Sequence, residues 1–393
     1  MPTVLFYLPV VTPWWFHNIV LPLIKALYGA AVVHILAPPM WRNTGIGPDE
    51  VAACSSLPDL QWHIVAGEDH SSLRTKPDDP EGLVGFVRSL NPDYVFCRSA
   101  DIETPSAFPG KVVHLLEGGA PPFRTPSEWI ILQRDFWHHG SMPHLEADDR
   151  ALVEAGFAPN WARMRTRLEQ EMPFCLPRAQ ALESLGLPTD RKIIMLPLDY
   201  EHEEMFSSIH HRYERNIDLI HAVMDWIDDR FLVAITDHPL NYQHIDNSRV
   251  HAAIEALGDR ARLVPNDPEG RYSVTDLLIK HGDGLIVQNS KAIYSGAMFG
   301  TPMLRLSSRP TADWIGVLTE VDEFLSEVTA GRRGAAEDQL RLWYGCHILH
   351  EIIDPAAISA GEILDRLDRP YSRERLAGGL SRFEAHQRKI GAA

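Results

Sequence analysis

The stretch GLIVQNSKAIYSGAMFGTP, residues 284–302, contains the pattern that decides the fold. Its apolar start predicts a buried strand over 284–288, and apolar residues at helical spacing predict a helix over 292–299. The Gly-Thr-Pro sequence at 300–302 predicts the end of that helix, and another apolar run follows at 303–306. A strand, a helix and a second strand in this order form the βαβ unit of a parallel sheet.

The same alternation of strand and helix fills much of the chain. In the second half, strands are predicted at 192–198, 231–236 and 261–264, and helices at 216–227, 248–257 and 274–280. The first half is less regular, with strands at 3–11, 32–36, 62–65, 94–97 and 112–116, and helices at 16–28 and 82–90. This alternation is typical of an α/β fold, in which helices cover both faces of a parallel sheet.

The chain is too long for one ordinary domain. Its 393 residues exceed the roughly 250–300 residues that a single hydrophobic core usually reaches. We therefore predict two Rossmann-like domains that face a central cleft. A charged helical segment at 146–171 and the Gly-Leu-Pro break at 186–188 indicate where the first domain ends. The predicted parts are an N-terminal domain at 1–187, a C-terminal domain at 188–345 and terminal helices at 346–393.

Composition excludes several classes of protein. The chain has 37 basic and 53 acidic residues and a formal net charge of −16, which argues against a nucleic acid partner because such partners require clustered Lys and Arg. The apolar run at 4–11 is shorter than the roughly 20 residues that span a bilayer. The four cysteines are far apart and lack CxxC spacing, so we expect a reducing cytoplasm and no disulfide framework.

Common cofactor motifs are also missing. The sequence Gly45-Ile46-Gly47-Pro48 has no preceding strand and no third glycine, and the chain contains no Walker A motif. Binding of NAD or ATP is therefore not favoured. None of the 19 histidines lies in an HExxH motif, so a metal site is not expected.

Polar residues follow several predicted strands, at the sheet edge where open α/β folds bind ligands. The strand at 192–198 runs directly into Asp199, Glu201 and Glu203. Acids this close raise one another's pKa and cost stability, so such a cluster at a strand end indicates function, with a solvated acidic loop as the alternative. Asp199 is nearest the strand and is the best-oriented candidate.

Two further strand ends carry candidate donor-binding residues. His238 follows the strand at 231–236, and Pro239 restricts its backbone to extended geometry, so it could contact a phosphate or protonate a leaving group. A structural histidine is the alternative. Ser290, after Gln288 and Asn289, is placed like an N-cap, and the helix start would attract a phosphate, although a plain capped helix explains it equally well.

The first half offers candidates for an acceptor site. The predicted strand at 112–116 delivers Glu117 into the turn formed by Gly118 and Gly119, where Glu117 could act as acid or base on a hydroxyl group. A simple tight turn is the alternative. Trp14 and His17, after the first strand, could contact an acceptor sugar, or they could pack the first helix.

These stretches together resemble the capsule-polysaccharide biosynthesis family, which includes bacterial transferases of 3-deoxy-D-manno-octulosonic acid (Kdo). The resemblance covers about residues 115–306. Its residues are Glu117 in a Glu-Gly turn, Pro197-Leu198-Asp199 at a strand end, His238-Pro239, and Asn289-Ser290 in a turn that leads to Gly-x-Pro at 300–302.

The resemblance implies a GT-B glycosyltransferase of capsule, O-antigen or lipopolysaccharide biosynthesis that binds CMP-Kdo in its C-terminal domain, with terminal helices that cross back. It implies a retaining reaction in which Asp199 is the nucleophile, Glu117 the acid/base and His238 the residue that stabilises the phosphate. Other expected donor contacts are Pro239, Gln288, Asn289, Ser290, Lys291, Glu201 and Glu203, and expected acceptor contacts are Trp14, His17, Gly118 and Gly119. No metal or other cofactor is implied.

The chain departs from the family at two positions. Many relatives carry Gln where Asp199 stands and an acid a few residues later, so Glu201 and Glu203 are alternative functional acids. Relatives often have a basic residue where this chain has Asp237, which leaves the donor open. The alternatives are a GT-B transferase of CMP-sialic acid or a UDP- or GDP-sugar, and a non-catalytic sugar- or nucleotide-binding component of a biosynthetic complex.

The expected partners are the nucleotide-sugar donor and a glycan or lipid-linked glycan acceptor. Arg373, Arg375, Arg382, Arg388 and Lys389 make the last segment locally basic. Such a segment fits peripheral contact of a cytoplasmic protein with the inner membrane, and a solvated helix face fits it equally well.

Overall fold

The structure is a computed structural model that describes residues 1–65, 76–123, 128–133, 142–202, 205, 207–308, 311–331 and 337–391. The chain forms two compact units. The first unit comprises Met1–Gly119, Thr125–Phe157 and Leu342–Ala393, and the second comprises Ala120–Arg124 and Ala158–Arg341.

The first unit contains a six-stranded sheet. Its strands are β1 (Thr3–Tyr7), β2 (Val32–Ala37), β3 (Gln61–Ile64), β4 (Tyr94–Cys97), β5 (Lys111–Glu117) and β6 (Ile130–Gln133). The order is β3-β2-β1-β4-β5-β6, and β6 is antiparallel to β5 whereas the other pairs are parallel. β1 is shorter than the predicted 3–11, and β6 was not predicted.

The second unit contains another six-stranded sheet, and all of its strand pairs are parallel. Its strands are β7 (Lys192–Pro197), β8 (Phe231–Thr236), β9 (Ala261–Leu263), β10 (Gly284–Val287), β11 (Met303–Arg305) and β12 (Val317–Leu318). The order is β12-β11-β10-β7-β8-β9. When strands are numbered within each unit, both sheets have the order 3-2-1-4-5-6 of the Rossmann fold.

The helices connect these strands. The α-helices are α1 (Pro13–Trp15), α2 (Leu21–Leu27), α3 (Pro48–Ala53), α4 (Pro80–Leu90), α5 (Glu103–Ser106), α6 (Ala147–Gln170), α7 (Arg178–Ser184), α8 (Asn216–Trp226), α9 (Asn241–His244), α10 (Ser248–Ala256), α11 (Val274–His281), α12 (Ala292–Phe299), α13 (Val321–Ala330), α14 (Glu337–Cys346), α15 (Ala360–Asp368) and α16 (Arg373–Gly391). The 3-10 turns are Met142–His144, Ser208–His210, Gly258–Arg260 and Asp313–Ile315, and π-helical turns occur at Phe16–Val20 and His347–Glu351.

Local sequence explains several helix ends. The Asp79 carboxylate accepts a hydrogen bond of 2.9 Å from the Gly82 amide at the start of α4. The Ser273 hydroxyl caps α11 in the same way, with 3.1 Å to the Asp276 amide. Gly300 ends α12 with a φ of 67°, in the left-handed region that glycine favours. The predicted stop at 300–302 therefore has a conformational cause.

Alternating side chains fill a core on each face of the sheets. In β1, Val4 and Phe6 join one apolar cluster while Leu5 and Tyr7 join the other. In the second unit, Ile194 in β7 packs with α8, α10 and α13 on one face. The predicted α/β fold class with two Rossmann-like units is confirmed by this pair of sheets.

The C-terminal helices belong to the first unit. Ile130 of β6 and Ile353 exchange two backbone hydrogen bonds, of 2.9 and 2.8 Å. Arg373 forms an ion pair of 3.3 Å with Asp149, and Arg375 forms another with Asp365. Two arginines of the basic tail thus serve contacts within this unit. None of the helices in the described ranges has the length and apolar character needed to span a membrane.

Candidate functional site

Asp199 lies at the point where the strand order of the second sheet reverses. It follows β7, whose neighbours in the sheet are β8 and β10, and such switch points bind ligands in open α/β sheets. The residue is 9% exposed. Gln288, which follows β10, donates a hydrogen bond of 3.1 Å from Nε2 to Asp199 Oδ2. Gln288 also holds the backbone of Tyr213 at both its N–H and its C=O.

Two asparagines fix the backbone of Asp199. Asn216, the first residue of α8, donates 2.9 Å to the Asp199 carbonyl and accepts 3.2 Å from its amide. Asn241, the first residue of α9, donates a second bond of 3.0 Å to the same carbonyl. The two asparagines therefore hold Asp199 in place through its backbone. Its carboxylate does not have to accept their hydrogen bonds.

The charges around Asp199 act in opposite directions. Burial raises the pKa of Asp199, whereas His211, the hydrogen bond from Gln288 and His238 lower it. Burial in turn lowers the pKa of His211, and the nearby Asp199 partly offsets that decrease. A buried carboxyl with two histidines close to it is an arrangement that enzymes use for acid, base or nucleophilic chemistry.

The structure gives the other acids of the predicted cluster different positions. Glu201 accepts a hydrogen bond of 2.7 Å at Oε2 from the amide of Asn216, so its carboxylate caps the start of α8. This contact favours Asp199 over Glu201 as the functional acid. Glu203 lies outside the described residues.

His238 follows β8 and is half-buried. Its ring stacks against Tyr200, with centroids 5.6 Å apart. Nδ1 accepts a hydrogen bond of 3.2 Å from the Leu240 amide, so the neutral ring carries its proton on Nε2. Burial lowers the pKa of His238, against the opposing effect of Asp199 and Asp237. Pro239, the next residue, is exposed.

Asp237, which stands where relatives often have a basic residue, binds side chains of the segment that follows β8. Its carboxylate accepts hydrogen bonds from Asn241 at 2.7 Å, from Asn247 at 2.5 Å and from His251 at 3.2 Å. The side chain is fully buried. These three donors stabilise the negative charge, and they tie the segment after β8 to α9 and α10.

The turn after β10 differs in detail from the prediction. The N-cap of α12 is Lys291 and not Ser290, which lies one residue before it. Ser290 Oγ nevertheless accepts a hydrogen bond of 3.2 Å from the Ala292 amide. Asn289 donates 3.4 Å to the carbonyl of Ser207. All three residues of this turn are half-buried at the edge of the sheet that also carries Asp199.

In the first unit, Glu117 is the last residue of β5, and Arg98 follows β4. The Arg98 guanidinium lies over the ring of Trp15, 4.0 Å from its centroid. Burial lowers the pKa of Arg98 to about 10, and the nearby Glu117 acts against that decrease. The sequence named Trp14, but Trp15 is the buried tryptophan beside Arg98, and Trp14 is 45% exposed.

Of the two glycines after Glu117, Gly118 forms backbone hydrogen bonds within the first unit. Gly118 donates 2.7 Å from its amide to the Trp129 carbonyl, and its own carbonyl contacts His347 Nε2 at 2.9 Å. Gly119 is half-buried. His17 Nε2 is 3.7 Å from a Glu50 carboxylate oxygen. His17, residues of α2, Pro355 and Ile358 line a groove of about 380 Å³.

Sequence reasoning missed several residues of these sites, namely His211, Asn216, Asn241, Arg98 and Trp15. Asn216 and Asn241 reach Asp199 from 17 and 42 residues away, and such distances leave no local spacing pattern. Within the described ranges, no three or more His, Cys, Asp or Glu side chains are grouped so that they could hold a metal ion.

No protein-family profile matches the sequence, and a comparison with curated proteins gives no significant match. Among solved structures, the KpsC β-Kdo 2,7 transferase of Thermosulfurimonas dismutans aligns over 93% of this chain and 98% of its own, with 12% identity and a TM-score of 0.40. Anabaena HepE in complex with UDP and glucose aligns over 99% and 100%, with 9% identity and a TM-score of 0.33. ADP-heptose LPS heptosyltransferase II of E. coli aligns over 98% and 100%, with 13% identity and a TM-score of 0.28. Similarities of this size say nothing about substrate, and the fold assignment rests on the strand order.

Proposed function

We propose that this chain is a glycosyltransferase that uses a nucleotide sugar. More specifically, it transfers Kdo from CMP-Kdo, with retention, to a glycan or lipid-linked glycan of a bacterial surface polysaccharide. The observation that carries the proposal is the buried Asp199 at the switch point of a Rossmann-ordered sheet, with His211 and His238 close to its carboxyl group.

The first chemical step is a displacement at the anomeric carbon of the donor sugar. A carboxylate oxygen of Asp199 forms a bond to that carbon while the bond from the carbon to the phosphate oxygen breaks, and the electron pair leaves with CMP. Asp199 must be ionised for this step, and Gln288, His211 and His238 all favour its ionised form. His238, neutral with its proton on Nε2, can donate a hydrogen bond to the departing phosphate.

In the second step the acceptor hydroxyl displaces Asp199 and gives its proton to a base. Two successive inversions at one carbon give net retention. We assign the base to Glu117, the carboxylate at the end of β5 that lies close enough to Arg98 to raise the pKa of that guanidinium. The helix start at Asn289, Ser290 and Lys291 supports the proposal because the positive end of a helix dipole favours a phosphate.

The experiment is a rapid mixing of the purified full chain with CMP-Kdo, followed by intact-protein mass spectrometry and peptide mapping. We expect a Kdo adduct on Asp199 and release of CMP, and we expect Asp199→Asn to form no adduct. Asp218→Asn is the matched control, because Asp218 is a half-buried aspartate of α8 that pairs with Arg215. This control should react like the unmodified chain.

Other results would change the proposal in defined ways. Release of CMP without an adduct would keep the donor and contradict the covalent step. Release of nucleotide only from UDP- or GDP-sugars would contradict CMP-Kdo as the donor. Binding of nucleotide sugars with no release from any of them would contradict an enzyme and indicate a binding component.

A further inference from the structure

Arg305 is a buried arginine that the proposed chemistry does not use. It is the last residue of β11 and is 4% exposed. Its neighbours Leu304 and Leu306 belong to the apolar core on the α8 and α13 side of the sheet. Successive side chains of a strand point to opposite faces, so Arg305 lies on the other face together with Met303.

Helix α12 covers that other face. A Cβ atom added to Gly296 of α12 would lie 2.2 Å from the sulfur of Met303, so helix and strand are in direct contact there. Arg305 is two residues, about 6.6 Å, closer than Met303 to the carboxyl edge of the sheet. Ala292, where α12 begins, is about 6 Å closer to the same edge than Gly296. Arg305 is therefore level with the first turn of α12.

The positive charge of Arg305 has no counter-charge in the described part of the chain. Nη2 donates a hydrogen bond of 3.3 Å to Ser307 Oγ, and Nη1 is buried without a hydrogen-bond partner. Burial lowers the pKa of Arg305 to about 10, so the guanidinium remains charged at neutral pH. A buried charge is costly unless a partner of opposite charge accompanies it.

A backbone contact links this arginine to the Asp199 site. His211 and Ser307 form an antiparallel bridge, and the Ser308 amide donates 2.9 Å to the carbonyl of His210. His211 is also close enough to Asp199 to lower its pKa. Arg305, the start of α12 and Asp199 thus lie along one edge of the second sheet.

We infer that Arg305 and the first turn of α12 bind a phosphate group. A guanidinium directs its hydrogen bonds at phosphate oxygens, and the positive end of the α12 dipole favours an anion at the same place. Identification of this group as the phosphate of the sugar donor rests on the proposed function. The anion would supply the missing counter-charge of Arg305, and Ser290 would contribute a hydroxyl beside it.

The test compares the unmodified chain with Arg305→Gln, Arg305→Lys and the control Arg230→Gln by calorimetric titration. Arg230 is an exposed arginine of the same unit that pairs with Asp228. The titrants are CMP, cytidine, inorganic pyrophosphate and Kdo. We expect Arg305→Gln to weaken CMP binding about tenfold or more and to leave cytidine binding unchanged. The CMP affinity of Arg305→Lys, which keeps the charge, should lie between those of the unmodified chain and Arg305→Gln. Arg230→Gln should bind CMP as tightly as the unmodified chain.

Thermal unfolding separates this effect from misfolding. Without an anion, Arg305→Gln should unfold at the same temperature or higher, because an unpaired buried charge has been removed. Pyrophosphate should raise the unfolding temperature of the unmodified chain and not that of the variant.

Each other outcome decides a different point. Equal CMP affinity of the unmodified chain and both Arg305 variants overturns the phosphate site and leaves the proposed function standing. Loss of Kdo binding instead of CMP binding assigns Arg305 to the sugar carboxylate and overturns the phosphate assignment. Arg305-dependent binding of pyrophosphate without binding of CMP supports the anion site and contradicts CMP-Kdo as the proposed donor. If the unmodified chain binds none of the titrants, both proposals are wrong.

Discussion

Two buried aspartates at the carboxyl edge of the second sheet show how hydrogen bonds set a residue's role. Asp237 accepts hydrogen bonds from Asn241, Asn247 and His251, and these three donors stabilise its negative charge. The Asp199 carboxylate accepts a bond from Gln288, and the asparagines around it contact its backbone instead. Asp237 is therefore suited to hold a loop, and Asp199 is suited to react.

Replacement of Asp199 by Asn should stabilise the chain at neutral pH. Burial raises the pKa of Asp199 above its ordinary value of 3.8, so the ionised carboxylate costs stability as pH rises through and above that value. Asparagine carries no charge and still accepts from Gln288. We expect a gain of about 0.5–2 kcal/mol in the free energy of unfolding. This is the usual range for a substitution that removes a group kept for function at the expense of stability. Urea unfolding at pH 7 measures it.

The control for this stability measurement is again Asp218→Asn. Arg215 lowers the pKa of Asp218, so the loss of that charge should give no gain in stability. A decrease in stability on Asp199→Asn would show that the carboxylate is a structural acceptor like Asp237, and its assignment as nucleophile would then lose its physical basis.

At the scale of elements, local pattern predicted most of the second unit. β8 and α12 begin and end at the predicted residues, because a fully buried strand and a helix closed by Gly300 carry strong local signals. β6 was missed because its four residues pair antiparallel with β5, and nothing in its own sequence specifies that partner. The helix predicted at 16–28 contains a π-helical turn, which apolar spacing does not reveal.

The same contrast holds for the candidate site. Asp199, His238 and Asn289 follow strands, so their common edge could be predicted from the sequence. The residues that orient the site or add charge to it are His211 in a loop, Asn216 at the start of α8 and Arg305 in β11, and their proximity depends on the completed sheet. Strand ends thus marked the location of the site, and tertiary structure alone supplied its hydrogen bonds and charges.

Helix α16 offers a prediction from two adjacent glycines. A Cβ atom on Gly379 would lie 1.5 Å from the carbonyl oxygen of Leu349, in the π-helical turn at His347–Glu351. We expect Gly379→Ala to destabilise the chain by about 2–3 kcal/mol or more, since backbone must move to admit the methyl group. Chemical unfolding of the full chain measures the difference.

Gly378→Ala is the matched control in the same helix. A Cβ atom there would meet only the end of the Arg382 side chain, at 3.3 Å. This variant should be neutral or more stable by up to about 1 kcal/mol, because alanine is the better helix former. Equal effects of the two substitutions would mean that α16 does not pack against the turn as described.

At the scale of the whole molecule, histidines in both units share one electrostatic feature. Burial is the largest cause that lowers the pKa values of His34 and His63 in the first unit and of His211 and His238 in the second. Burial also lowers the pKa of His350 to about 3. All five are therefore harder to protonate in the folded chain than in the unfolded chain.

This feature predicts sensitivity to acid. A group whose pKa is lowered by folding takes up its proton on unfolding, so stability should fall as pH drops below about 6.5, the ordinary histidine value. The unfolding temperature, measured from pH 7.5 to pH 5 in steps of half a unit, should decrease steadily below that point. His350→Gln should show a smaller decrease than the unmodified chain, and His221→Gln, an exposed substitution in α8, should show the same decrease. An unfolding temperature that does not change with pH would contradict the prediction.

The division of the chain between the two units also affects the order in which they can fold during synthesis. The second unit is nearly contiguous, whereas the first is assembled from both ends of the chain, and its edge strand β6 is bridged by Ile353. A ribosome therefore releases all six strands of the first sheet long before the segment that bridges to the outer edge of β6. We expect the second unit to finish folding first, although domains usually fold in the order in which they are translated. Until residues beyond 353 emerge, the nascent first sheet has an exposed edge that chaperones could recognise.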